Sequence, residues 1–264
     1  MKTYTLIDAH THVFPDPIAD KAAVSIGDFY DCPPAHSASV KSLLETGAKY
    51  NISHYLICSA ALSPHQTDSI NAFMAQLNKD ARFTALGTLH PLMDNWEQTL
   101  ESVKALGLCG IKLHSDMQRF NLDDDHMLPK YRKMAQMGLP VLFHMGDPRY
   151  DYSSPTRLAN VLKKVPDLVC IAAHMGGYQR WDEAYDVLPV LDNLYFDTSS
   201  AVALMPTAKA YRLMEKHGIQ KFMFGSDHPL WDAGGEFAPL AALGLTDPEC
   251  TALFSENFKK LFHL

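Results

Sequence analysis

The 264-residue chain lacks the features that would put it in a membrane, on a nucleic acid or in an oxidising compartment. No apolar run approaches the ~18 residues that a membrane span requires. The N-terminal stretch Met1-Lys-Thr-Tyr-Thr-Leu-Ile-Asp turns polar after two apolar residues, too soon for a secretory leader. Positive charge is in deficit: 23 Lys and Arg stand against 30 Asp and Glu, a formal net charge of −7. Nucleic acid and anionic membranes would therefore meet a surface of their own sign, and a small-molecule substrate is the expected partner. A homo-oligomer is compatible with the sequence. The five cysteines, Cys32, Cys58, Cys109, Cys170 and Cys250, are odd in number and contain no C-x-x-C pair. They read as free thiols in a reducing, cytoplasmic setting. No linker, low-complexity tract or internal repeat divides the chain, and no G-x-G-x-x-G opens a dinucleotide fold after the first predicted strand.

What remains is an ordinary globular composition, 47% apolar and 20% charged, with one unusual count: thirteen histidines. Short apolar, β-branched runs predict strands at Tyr4-Ile7, His54-Ser59, Phe83-Leu89, Gly110-His114, Pro140-His144, Val169-His174, Leu194-Asp197 and Lys221-Gly225. Segments of helical spacing separate them, from Val40-Lys49 through Trp96-Leu106 and Arg157-Lys164 to Pro248-Phe262. Eight strands alternating with helices imply right-handed βαβ units and a parallel sheet closed into a single-domain (β/α)₈ TIM barrel. The stretch from Val13 to Ser39, with Pro15, Pro17, Pro33 and Pro34, interrupts the rhythm. It is expected to be a long first βα loop lying over the active site as a lid.

Most of these strands end in groups of metal-ligand type: Asp8-Ala-His10-Thr-His12, Lys112-Leu-His114, Phe143-His144, Ala173-His174, Phe196-Asp197 and Ser226-Asp227-His228. Strand C-terminal ends are where a barrel assembles its catalytic groups. Strand alternation predicts that His10, His12 and Asp8 share one face, with Ile7 and Ala9 on the other. The same parity sets Leu142 with His144, Cys170 and Ala172 with His174, and Met223 with Asp227. Imidazole nitrogens beside a carboxylate suit a divalent metal: zinc first, with Mn²⁺, Co²⁺, Ni²⁺ or Fe²⁺ also accommodated. Arg149, just beyond the fifth strand, stands where a guanidinium could take a substrate carboxylate. His114 is expected to contact substrate, and Arg119, Tyr178 and Trp231 also fall on βα loops.

The set Asp8-Ala-His10-Thr-His12, Gly110-Ile-Lys-Leu-His114, Val141-Leu-Phe-His144-Met-Gly-Asp147, Ala173-His174-Met-Gly-Gly177, Tyr195-Phe-Asp197-Thr-Ser-Ser200 and Phe224-Gly-Ser-Asp227-His-Pro229 resembles the amidohydrolase superfamily. It is similar in particular to the branch that contains aminocarboxymuconate-semialdehyde decarboxylase and related metal-dependent hydrolases of TIM-barrel fold. The resemblance implies that His10, His12, His144 and Asp227 hold one metal. It implies that His174 faces a water on that metal, and that Asp227 and His174 are the catalytic pair. Lys112 lies one inward position below the fourth strand's end, so the resemblance favours one metal over a lysine-bridged pair. Hydrolysis of a C–N or C–O bond is the leading expectation, non-oxidative decarboxylation of an unsaturated or aromatic acid the second, and a non-catalytic ligand-binding barrel the third.

Overall fold

The computed structural model describes residues 4–264, so Met1 to Thr3 of the stretch read for a leader lie outside the described residues. The strands are β1 (Leu6–His12), β2 (Ile52–Cys58), β3 (Phe83–Ala85), β4 (Gly87–Thr88), β5 (Ile111–Leu113), β6 (Val141–Phe143), β7 (Cys170–Ala172), β8 (Leu194–Asp197) and β9 (Phe222–Met223). Every pairing is parallel, in chain order. β3 and β4 are two halves of one barrel strand. Leu86 N–H reaches Ile57 O at 3.0 Å on one side and Cys109 N–H reaches Ala85 O at 2.9 Å on the other. The ring closes where β1 meets the segment after β9: Ala9 N–H donates to Phe224 O at 2.8 Å, and Thr11 bridges His228. These eight strands with helices outside form the TIM barrel that the alternation predicts.

Outside lie α1 (Asp16–Tyr30), α2 (Val40–Ala48), α3 (Thr67–Leu77), α4 (Trp96–Ala105), α5 (Ser115–Gln118), α6 (Leu128–Gln136), α7 (Pro155–Lys164), α8 (Trp181–Val187), α9 (Thr207–His217) and α10 (Ala233–Ala241). The chain ends in α11 (Asp247–Thr251) and α12 (Asn257–Phe262), joined by a π-helical turn. Among the described residues no helix is long and apolar enough to cross a membrane.

Two expectations from sequence need correction. The Val13–Ser39 segment is not a loop: most of it is α1, fifteen residues long. Pro17 sits in its first turn, where a missing N–H costs nothing. Ala19, Ala23 and Gly27 form its buried stripe. A Cβ on Gly27 would stand 2.6 Å from Cys32 O, so only glycine lets the chain fold back beneath the helix there.

The second correction concerns parity. β1 carries register shifts between Leu6 and Ile7 and between Asp8 and Thr11, and a bulge of this kind exchanges the faces of the residues on either side. Ile7 and Ala9 therefore pack inside the barrel with Leu56, Leu142, Ile171 and Met223, over a floor made by Phe258 of α12. Cys170 and Ala172 face the helices instead, and Ile171 and Ala173 face inward. His174 reaches the mouth because its own φ of 57° turns the backbone after β7.

Candidate active site

His10 is fully buried and held from both ends. Its Nδ1 lies 2.9 Å from Asp197 Oδ2 and 3.0 Å from Ser199 Oγ, and its Nε2 lies 3.0 Å from Lys112 Nζ. Asp197 Oδ1 accepts the backbone N–H of His174 at 3.2 Å and of Ser199 at 3.1 Å, together with the Ser199 hydroxyl. Burial works to raise the pKa of Asp197, but its contacts with His10, His174 and Ser199 hold it below the usual carboxylate range. An ionised Asp197 can only accept, so the His10 proton sits on Nδ1 and the Nε2 lone pair, at the barrel centre, accepts from the Lys112 ammonium, whose place a cation would take. Burial and the Lys112 charge push the His10 pKa down to about 4, which keeps the ring neutral.

Asp227 approaches from the neighbouring segment after β9, which pairs with β1. Its Oδ1 is 3.3 Å from His12 Nε2 and 3.7 Å from His10 Nε2. Its Oδ2 accepts the Ser200 hydroxyl at 2.6 Å, and Ser200 in turn accepts Trp231 Nε1–H at 2.8 Å. Asp227 has a φ of 60°, uncommon for a residue with a Cβ, and its backbone N–H donates to His10 O at 2.9 Å. Burial opposes its charge, but the His12 hydrogen bond and the nearby His10 and His174 rings hold its pKa well below the ordinary value.

Donor atoms 2.0–2.2 Å from one tetrahedral ion lie about 3.3–3.6 Å apart. Asp227 Oδ1 stands close to that edge length from both imidazoles, 3.3 Å from His12 Nε2 and 3.7 Å from His10 Nε2, and His10 and His12 also form a potential metal-holding group with Cys58. Burial lowers the His12 pKa, whereas Cys58 and Asp227 lift it, to about 9 overall. A cation and the His12 proton compete for the same nitrogen.

His144 belongs to the adjoining imidazole cluster, which meets His10 through the stacked His174 ring, centroids 5.1 Å apart. Its Nδ1 is 3.0 Å from His174 Nε2, and its Nε2 is 3.0 Å from Gly146 O and 3.5 Å from Asp116 Oδ2. His174 Nδ1 lies 2.9 Å from Ser199 O. The chain from Gly146 O through two imidazoles to Ser199 O has three contacts that each need a proton, one more than two neutral rings carry. A cation on either facing nitrogen satisfies the array without that extra proton. The His144 ring also stacks on His114, centroids 3.9 Å apart.

His114 Nδ1 accepts the Met117 N–H at 3.3 Å, so its proton is on Nε2 and is donated to the Tyr30 hydroxyl oxygen 2.8 Å away. Burial drives the His114 pKa well below its ordinary value and the Tyr30 phenol well above 10. The Tyr30 O–H is then left to face His144, 3.4 Å from Nε2 and 3.5 Å from Nδ1, at contacts long enough for a group in the cavity to replace them. His12, His114, His144, His174, Asp227 and Tyr30 line one end of a cavity of about 870 Å³.

Of the residues singled out from sequence, His10, His12 and Asp227 come together, His144, His174 and His114 form the adjoining cluster, and Arg149 lies elsewhere. Its guanidinium pairs with Asp147, 2.7 Å from Nη2 to Oδ2, stacks on Phe29 with 4.8 Å to the centroid, and donates to Phe29 O. Arg149 is a clamp on the C-terminal end of α1 and is not among the cavity-lining residues. Tyr30, Asp116 and Cys58 escaped the sequence reading. Asp116 had a signal, an H-x-D after the fourth barrel strand. Tyr30 had none, since only folding of α1 brings it to the rim.

No curated protein sequence matches the chain. Solved structures do. 5-Carboxyvanillate decarboxylase from Sphingomonas paucimobilis superposes with a TM-score of 0.77 at 16% identity, covering 100% of both chains. A probable 2-pyrone-4,6-dicarboxylic acid hydrolase from Acinetobacter baumannii gives 0.71 at 17%, covering 98% of this chain and 100% of that one. A dihydroxybenzoic acid decarboxylase from Polaromonas sp. JS666, with bound manganese and 2-nitroresorcinol, gives 0.74 at 13%, covering 99% and 97%. These likenesses carry the fold. The family model described as Amidohydrolase matches residues 7–264, and the chain belongs to that family.

Proposed function

We propose that the protein is a metal-dependent hydrolase that cleaves a C–N or C–O bond of a small molecule, with one divalent cation held by His10, His12, His144 and Asp227. The observation that carries this reading is the placement of Asp227 on the cavity wall. One of its oxygens stands 3.3 Å from His12 Nε2 while the other is fixed by Ser200. The nitrogen-rich donor set favours zinc, and the bound manganese of a structurally similar decarboxylase makes manganese the second choice. When bound, such a cation supplies Lewis acidity toward water and toward a substrate oxygen.

Asp227, kept ionised, accepts a proton from water in the cavity and returns it to the leaving group. His174, fixed by Ser199 O and the Asp197 contact to its N–H, orients the attacking oxygen. The Tyr30 O–H donates to the oxyanion that develops on the substrate, a contribution of about 3 kcal/mol where one such donor is deleted in other enzymes. Decarboxylation is the second reading, favoured by the decarboxylases among similar folds. The same Tyr30 and His174 would then serve an anion formed by loss of CO₂. A screen of lactones, esters, amides and carboxylated aromatics, read for acid release and for CO₂, separates the two. Activity retained in Asp227→Asn would overturn both.

A further inference from the structure

The same cavity runs well beyond the histidine cluster. Ile18, Ala22 and Ile26 recur every four residues on α1 and line it, and Ile70 and Phe73 of α3 line it too. At 1.5 Å per residue, the lining from Ile18 to Tyr30 makes a trough about 18 Å long that ends at the proposed reacting groups. The cavity of about 870 Å³ stands near the top of the ~300–1,000 Å³ range of small-molecule sites. Its walls also carry Lys21 and Arg119, and among the described residues neither has an ion-pair partner, in a protein whose net charge is −7. Unpaired cations beside a largely apolar wall select an anion with an apolar body.

We propose that the substrate is an elongated amphiphilic carboxylate. Its reacting bond lies at Asp227 and His174, its apolar body lies between α1 and α3, and its carboxylate is met by Lys21 and Arg119. The reacting end rests on the proposed function; the trough and its charge do not.

Calorimetric titration of the zinc-loaded full chain with 4-n-alkylbenzoates, from methyl to hexyl, and with the matching 4-n-alkylbenzyl alcohols tests this without turnover. Affinity should rise roughly two- to fourfold per methylene. The carboxylates should bind at least about tenfold tighter than the alcohols, an advantage that shrinks in Arg119→Gln and in high salt. Ile70→Glu should flatten the length dependence while leaving metal content unchanged. Affinity independent of chain length, or alcohols binding as tightly as carboxylates, would overturn the inference. Absence of any hydrolysis or CO₂ release would instead count against the proposed reaction and leave the length series standing.

Discussion

Asp197→Asn is the sharpest perturbation of the proposed metal centre because it changes one oxygen to nitrogen in a fully buried position. Asp197 Oδ1 accepts three donors, two backbone N–H groups and the Ser199 hydroxyl. An asparagine must keep its carbonyl oxygen there, because its NH₂ would face those donors. The NH₂ is then forced into the place of Oδ2, 2.9 Å from His10 Nδ1. Nδ1 must become the acceptor, the ring proton moves to Nε2, and the lone pair aimed at the cation is lost. Deleting the partner of a ligating histidine costs about 10–100-fold in metal affinity. Here the forced tautomer puts the expectation at the upper end, ~100-fold or about 2.7 kcal/mol. Chelator competition gives the zinc affinity, and a thermal melt of the same sample checks the fold. Affinity within threefold of the parent, in a folded variant, would refute the reasoning.

Tyr30→Phe should bind metal stoichiometrically yet lose on the order of 10²–10³ in kcat, measured in single-substrate kinetics, because the donated O–H is removed along with the acceptor of the His114 Nε2–H. His174→Ala should likewise keep its metal and lose a comparable factor, whereas His144→Ala should lose metal and activity together; equal metal loss in both would make His174 a ligand. Glu236 of α10 has its carboxyl pushed up to about 8 by burial, and its Oε2 is buried without a partner. The unfolded chain releases this proton near 4.5 and the native state near 8, so native stability is full below pH 4.5 and is lost as pH rises through 8. Glu236→Gln removes that loss, and urea unfolding at pH 5 and 9 should show the variant gaining on the parent by up to ~4 kcal/mol. An unchanged difference would place the Glu236 proton elsewhere.

The barrel was legible because buried parallel strands are short apolar runs and because a polar residue at such a strand's end has no packing reason to be there. That signal brought out His10, His12, His114, His144, His174 and Asp227 together. It failed where local rules have exceptions that only tertiary contacts reveal. Pro15 and Pro17 read as loop residues but open α1, and Gly234, Gly235 and Pro239 hide α10. Ideal alternation in β1 and β7 misplaced Ile7, Ala9, Cys170 and Ala172, because a bulge and a turned His174 change the parity. Arg149 was legible as a cation near the mouth. Its use was not, since Asp147 and the ring of Phe29 are brought to it by folding.

The proposed function rests on one divalent cation at the ends of β1, β6 and the segment after β9. Anomalous scattering at the zinc edge from crystals of the metal-loaded protein tests it most directly. A single peak is expected about 2.0–2.2 Å from His10 Nε2, His12 Nε2, Asp227 Oδ1 and a ring nitrogen of His144. No peak among these atoms, or two peaks bridged through Lys112, would contradict it.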